Sequence, residues 1–193
     1  MPVMMNFCRL LLLLPLAIAP AWATRGPHEE VIYLFQNRKV IIGVPDGLGF
    51  SCDKDPRGMI LVRIAHPRHQ LSMQMAFLPD PNGMFSTSRG RKEFMNETFH
   101  KYVANSVERG MQFEELDPRF GSGTYCVFTD ASLVGRKTLP AGEYFHSTTG
   151  LKVWPGVVVV FTLFSQDTEL PEYQAVMTLL RDSIEEVPDL SGP

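Results

Sequence analysis

The sequence predicts an α+β domain with a mainly antiparallel sheet, and three observations carry that expectation. Short β-rich runs separated by Pro, Gly, Asp and Asn turns make up most of the chain. Two stretches instead repeat their apolar residues at helical spacing, one over about 91–109 and one over about 171–187. One run, Val157-Val158-Val159-Val160-Phe161-Thr162-Leu163-Phe164, is apolar without alternation, which asks for a central strand covered on both faces. Strands, a helix, more strands on short turns and a closing helix together describe an α+β order.

The β-rich runs begin with Val31 to Phe35 and Lys39 to Val44, an opening hairpin around Gln36-Asn37-Arg38. The turn signal Pro45-Asp46-Gly47 leads to a short segment, Phe50 to Cys52, and Asp53 to Gly58 forms a second turn cluster. Met59 to Ala65 and Leu71 to Leu78 form the clearest hairpin. In its second arm Leu71, Met73, Met75 and Phe77 alternate with Ser72, Gln74 and Ala76, so four large apolar side chains share a face. Further strands are expected at Gln112 to Glu115, Thr124 to Asp130 and Glu143 to Ser147.

The first helical stretch places Met95, Phe99, Tyr102, Val103 and Ser106 on one stripe, with Glu93 and Glu97 near its start, Arg109 at its end and Gly110 beyond. The second follows Pro171 and aligns Tyr173, Val176, Met177, Leu180, Ile184 and Val187, with Glu169 and Glu172 at its start.

The chain has 193 residues, 45% hydrophobic and 20% charged, with a net charge of −3, which excludes a disordered tail, a collagen-like fibre and a coiled-coil rod. The near balance of acid and base points away from nucleic acid. The apolar run Leu10 to Ala19 follows Arg9 and is shorter than the ~18 residues of a membrane span, so it reads as a signal-peptide core. Ala21-Trp22-Ala23 fits a signal-peptidase site, which places cleavage before Thr24 and predicts residues 1–23 as a signal peptide and 24–193 as a single domain. The expected location is periplasmic or secreted, with no stable membrane span after cleavage. In an oxidising compartment the remaining pair, Cys52 and Cys126, is expected to form a disulfide closing a long loop, for about 4 kcal/mol. Two separately buried thiols are the alternative.

The segment Val40-Ile41-Ile42-Gly43-Val44-Pro45-Asp46-Gly47, a strand closed by a Pro-x-Gly turn, resembles the amino-terminal strand of the PsbP-like superfamily. The Gly156 to Phe164 strand leading through Glu169-Leu170-Pro171 into the closing helix resembles the end of the same fold. The resemblance implies an α/β/α sandwich and a non-enzymatic binding or accessory protein, and it brings no catalytic residue.

The motif search adds no enzyme. There is no G-x-x-x-x-G-K-[ST], G-x-S-x-G, H-E-x-x-H or G-x-G-x-x-G, and no cofactor is expected. Asp53 and Asp55 resemble the start of a calcium loop but lack its later Glu. His66-Pro67-Arg68-His69 with Met73 and Met75 combines imidazoles and thioethers, which suit copper. The same alternation puts both methionines on the core face, so no metal is expected. The segment Pro79 to Lys92 reads as a long irregular connection, and Arg89, Arg91 and Lys92 at its end oppose the dipole of the helix they open. They are expected to answer either acids within the fold or a partner protein with an acidic surface. The function expected is therefore an exported protein-binding or accessory protein, with an inhibitor or immunity type among its forms. A copper-binding protein and a cryptic hydrolase are the alternatives.

Overall fold

The computed structural model describes residues 27–187 apart from positions 36, 37, 56, 57, 67, 69, 118, 141 and 183. The expected signal segment 1–23, the cleavage point before Thr24 and His69 lie outside the described residues. Among the described residues two helices and ten strands follow in the order β1 His28–Tyr33, β2 Lys39–Val44, β3 Gly49–Lys54, β4 Ile60–Ala65, β5 Leu71–Asp80, α1 Ser88–Asn105, β6 Glu114–Glu115, β7 Ser122–Thr129, β8 His146–Trp154, β9 Gly156–Ser165, α2 Pro171–Asp182 and β10 Ile184–Val187.

The architecture is α+β. Seven strands form one sheet in the order β3-β4-β5-β9-β8-β7-β6, every neighbouring pair antiparallel, and β1-β2-β10 form a small second sheet. β9 sits between β5 and β8, as its unbroken apolar run requires. Its Val157, Val159, Phe161 and Leu163 belong to the core shared with α2 and the small sheet, while Val158 and Val160 face the cluster beneath α1. Leu71, Met73, Met75 and Phe77 of β5 are all buried on the α2 side, so the alternation read from the sequence places that face correctly.

Both helices differ from their expected bounds. α1 begins at Ser88 because Thr87, in extended conformation, accepts a hydrogen bond at Oγ1 from the Gly90 N–H at 3.1 Å. Asp80 accepts the N–H groups of Met84 at 2.8 Å and Phe85 at 3.1 Å and so pins the turn before it. The connection expected over Pro79 to Lys92 is thereby reduced to residues 81–87, since β5 runs through Asp80. Gly90 fits this close approach because a Cβ there would lie 2.3 Å from the Met84 carbonyl oxygen. At the other end the helix stops before Gly110, where buried Ser106 turns extended and bridges to Asp130. Arg109 lies outside the helix, yet its guanidinium donates to the Ala104 carbonyl at 2.6 Å and still serves the helix C-terminus.

α2 ends at Asp182, and Ile184 and Val187 lie on β10, paired with β2, instead of continuing the stripe. Lys152 on β8 supplies the physical reason. Its buried ammonium donates to the carbonyls of Leu180 at 2.8 Å, Arg181 at 3.4 Å and Ile184 at 3.2 Å, taking up acceptors at the end of the helix. Burial pushes the Lys152 amine down to about 8, with Asp182 opposing the shift.

The expected disulfide is not formed: Cys52 and Cys126 are both free. Cys52 lies on β3 and Cys126 on β7, five strand steps across the sheet. At ~4.8 Å per step that is roughly 24 Å, far beyond the ~7 Å limit for a bridge. Burial, chiefly, pushes the Cys126 thiol up to about 12.

Candidate functional site

The sheet carries a row of residues that pair laterally from edge to edge, Ser51, Arg63, Gln74, Thr162, Thr149 and Cys126, all on the face that α1 occupies. α1 packs over β7 and β8, and its Met95 and Phe99 share a buried cluster with Cys126, Phe128, Leu151 and Val153. Towards the other edge of the same face, Ser51, Leu61, Arg63, Ser72 and Gln74 remain partly exposed. A concavity of about 290 Å³ lies there, lined by Asp53, Lys54, Asp55, Leu61, Arg63 and Gln74. Arg63 has no ion-pair partner among the described residues. Asp55 is committed to its own turn, where Oδ1 accepts the Met59 N–H at 2.8 Å.

The three cations singled out at the start of α1 do not form one patch. Arg91 turns inward and is 3% exposed. It donates from Nε to Thr124 Oγ1 at 2.8 Å, from Nη1 to Ser122 Oγ at 3.0 Å and to the carbonyls of Phe85 and Ser86 at 3.2 Å, and from Nη2 to Glu115 Oε2 at 3.1 Å. It therefore ties the turn before α1 to β6 and β7. Lys92 lies 3.5 Å from Glu115 and 5.8 Å from the centroid of the Phe113 ring. Arg89 is exposed and pairs with Glu93 at 2.7 Å, one turn along. Partial burial alone would raise the Glu115 carboxyl, but hydrogen bonds from Ser88, Arg91 and Thr124 and the Arg91 charge outweigh it and hold the group below its usual value. Of the two answers expected for these cations, acids within the fold account for the contacts that the structure shows.

The described members of the imidazole and thioether grouping, His66, Met73 and Met75, divide between the end of β4 and the core. Met73 and Met75 are buried in the core on the α2 side. His66 stands at the end of β4, its Nε2 3.9 Å from Glu172 Oε1. Among the described residues no three His, Cys, Asp or Glu side chains are grouped to hold a metal ion.

A second concavity, of about 280 Å³, lies under the C-terminal half of α1, and the sequence offered no sign of it. Its walls come from four separate segments. Tyr102 of α1 stacks on Phe128 of β7, with centroids 5.7 Å apart and planes at 23°, and Tyr144 stacks on Phe164 of β9 at 5.7 Å and 29°. Between them lies Ser147 of β8, whose Oγ is buried and has no hydrogen-bond partner, like Thr149 Oγ1 two residues on. Burial pushes the Tyr144 phenol above its ordinary value. Periodicity had marked Ser147 and Phe164 only as strand residues.

No family model matches the chain, and neither a curated protein nor a solved structure does so.

Proposed function

We propose that this chain is an exported, non-enzymatic accessory protein that binds another protein on the part of the sheet that α1 leaves open, and that its layers form a PsbP-like α/β/α sandwich. One observation carries the reading: a single sheet face is buried under a helix at β7 and β8 but remains partly exposed at β3 to β5, where Leu61 and Arg63 flank a concavity. Arginine is enriched at partner surfaces, where it stands beside apolar groups as Arg63 does beside Leu61. The sandwich is supported by the layering, with α1 on one side of the seven-stranded sheet and α2 on the other beside the small sheet that holds Val40 to Val44. Export rests on the apolar run Leu10 to Ala19 and the small residues before Thr24.

The partner assigned is a protein with an acidic surface. Arg63 meets it directly, while Arg89 and Lys92, already paired on their own helix and strand, add only screened long-range attraction. The test is capture of partners by the tagged chain in its own host, with two double variants compared by association rate at low salt. Leu61→Glu with Arg63→Glu is expected to abolish capture, and Arg89→Ser with Lys92→Ser to slow association without abolishing it. Equal capture by the first variant and the wild type overturns the assignment of this face. Intact mass of the exported chain, with Thr24 expected at its start, tests the compartment.

A further inference from the structure

The structure assigns a second site to the cleft under the C-terminal half of α1, and we propose that it takes a small planar aromatic carboxylate. The inference does not depend on the protein-binding reading, because the cleft lies at the opposite end of α1 from Arg89 and Lys92 and none of its lining residues borders the concavity at Leu61 and Arg63.

The sheet register sets which residues face one another across the cleft. Phe128, Ser147 and Phe164 are lateral neighbours on β7, β8 and β9. The two phenyl side chains therefore spring from strands two spacings apart, roughly 9.6 Å, with only a small hydroxyl residue between them. Each wall is two rings deep, because Tyr102 stacks on Phe128 and Tyr144 on Phe164. Carbon layers pack at about 3.5 to 4.0 Å, so a flat ring in the cleft can stack on either aromatic pair. A saturated ring, thicker across its puckered face, fits less well. The volume of about 280 Å³ is small for a ligand site and about twice that of a dry cavity of roughly 150 Å³ that admits benzene, which points to a single substituted ring.

Polar groups orient that ring. Ser147 Oγ is buried at the floor without a hydrogen-bond partner, a condition that a polar substituent on the ring would relieve. At the mouth Lys101 holds its ammonium 5.6 Å from the centroid of the Tyr102 ring, so an acidic group on the open side finds a cation beside an aromatic wall. Asp130, also at the rim, is turned into its own loop, where Oδ1 accepts from the Ser132 N–H at 2.8 Å and from Ser132 Oγ at 2.7 Å. A polar substituent at one end and a carboxylate at the other describe a ligand of the hydroxybenzoate type.

The test titrates the full chain with 4-hydroxybenzoate by calorimetry, with phenol and cyclohexanecarboxylate as comparison probes. Saturable one-to-one binding of 4-hydroxybenzoate is expected, with weaker binding of phenol and none of cyclohexanecarboxylate. Lys101→Met is expected to lower affinity for 4-hydroxybenzoate and leave that for phenol unchanged. Tyr144→Ala, which removes a partly exposed ring, is expected to weaken both by roughly two- to tenfold. Ser147→Ala keeps the sheet intact and is expected to weaken 4-hydroxybenzoate binding, so the result does not hang on one variant. The Leu61→Glu and Arg63→Glu double variant is expected to bind the probe like wild type, which separates this site from the protein-binding face. Absence of saturable 4-hydroxybenzoate binding, equal binding of cyclohexanecarboxylate, or binding that neither Tyr144→Ala nor Lys101→Met alters, overturns the proposal.

Discussion

Arg91 Nη2 sits 3.1 Å from Glu115 Oε2 in an unequal pair, since the arginine side chain is 4% exposed and the glutamate 49%. The buried member carries the structural load, because the same guanidinium also serves two hydroxyls and two carbonyls. Arg91→Ala is expected to destabilise the fold by about 2 to 3 kcal/mol by stranding those acceptors, and Glu115→Gln by less, about 1 kcal/mol, since a neutral acceptor remains. Urea denaturation of the two variants checks the order, and a larger loss from Glu115→Gln would refute it.

The same pair has a pH signature. Glu115 is a carboxyl whose native value is depressed, so its contribution is present above the ordinary carboxyl range and is lost as pH falls through the native value. The stability gap between wild type and Glu115→Gln is therefore expected to close on acidification from pH 6 to pH 3. Denaturation midpoints measured across that range decide it, and a gap that stays constant would count against the depressed value.

Lys152 gives a trend of the same sign at alkaline pH. Its amine titrates near 8 in the native state and at 10.5 in the reference state, so between those values the unfolded chain holds more protons and stability rises with pH. Cys126 works against it, because the unfolded thiol ionises from about 9 while the buried one waits until about 12. Subtracting a Lys152→Met variant isolates the lysine. That variant is expected to lose about 2 kcal/mol at pH 7, where three carbonyls lose their donor, and the difference from wild type is expected to widen between pH 8 and pH 10.

The two thiols are expected to differ in reactivity. Cys52 is exposed on an edge strand and Cys126 is buried beneath α1. Iodoacetamide at pH 8 is therefore expected to label Cys52 in the folded chain and to reach Cys126 only after denaturation, without prior reduction. Peptide mass mapping reads both sites. Failure to alkylate either one in unreduced, denatured protein would restore the disulfide.

What could be read from the sequence followed periodicity. The β5 alternation and the unbroken β9 run each have a local cause, so their faces and their central place were legible from the residues themselves. The end of α2 was not, because it depends on a distant partner: Lys152 stands 28 residues before the Leu180 carbonyl that it takes up. Arg91 was visible as a cation badly placed for the helix dipole, but its partner depended on how β6 folds back beside β7. The aromatic cleft was invisible, since Tyr102, Phe128, Tyr144 and Phe164 become neighbours only through sheet register and helix packing.

The pairing of β10 with β2 has a kinetic meaning. Residues 184–187 complete a sheet whose other two strands lie within residues 28–44, so this layer closes only after every other described element has been made. Contacts of such sequence separation carry a large loop-closure cost and form slowly. A partly synthesised chain therefore lacks the strand that borders Ile42, and the small sheet stays open until residues 184–187 are made. On the proposed export, such late closure acts as a built-in delay.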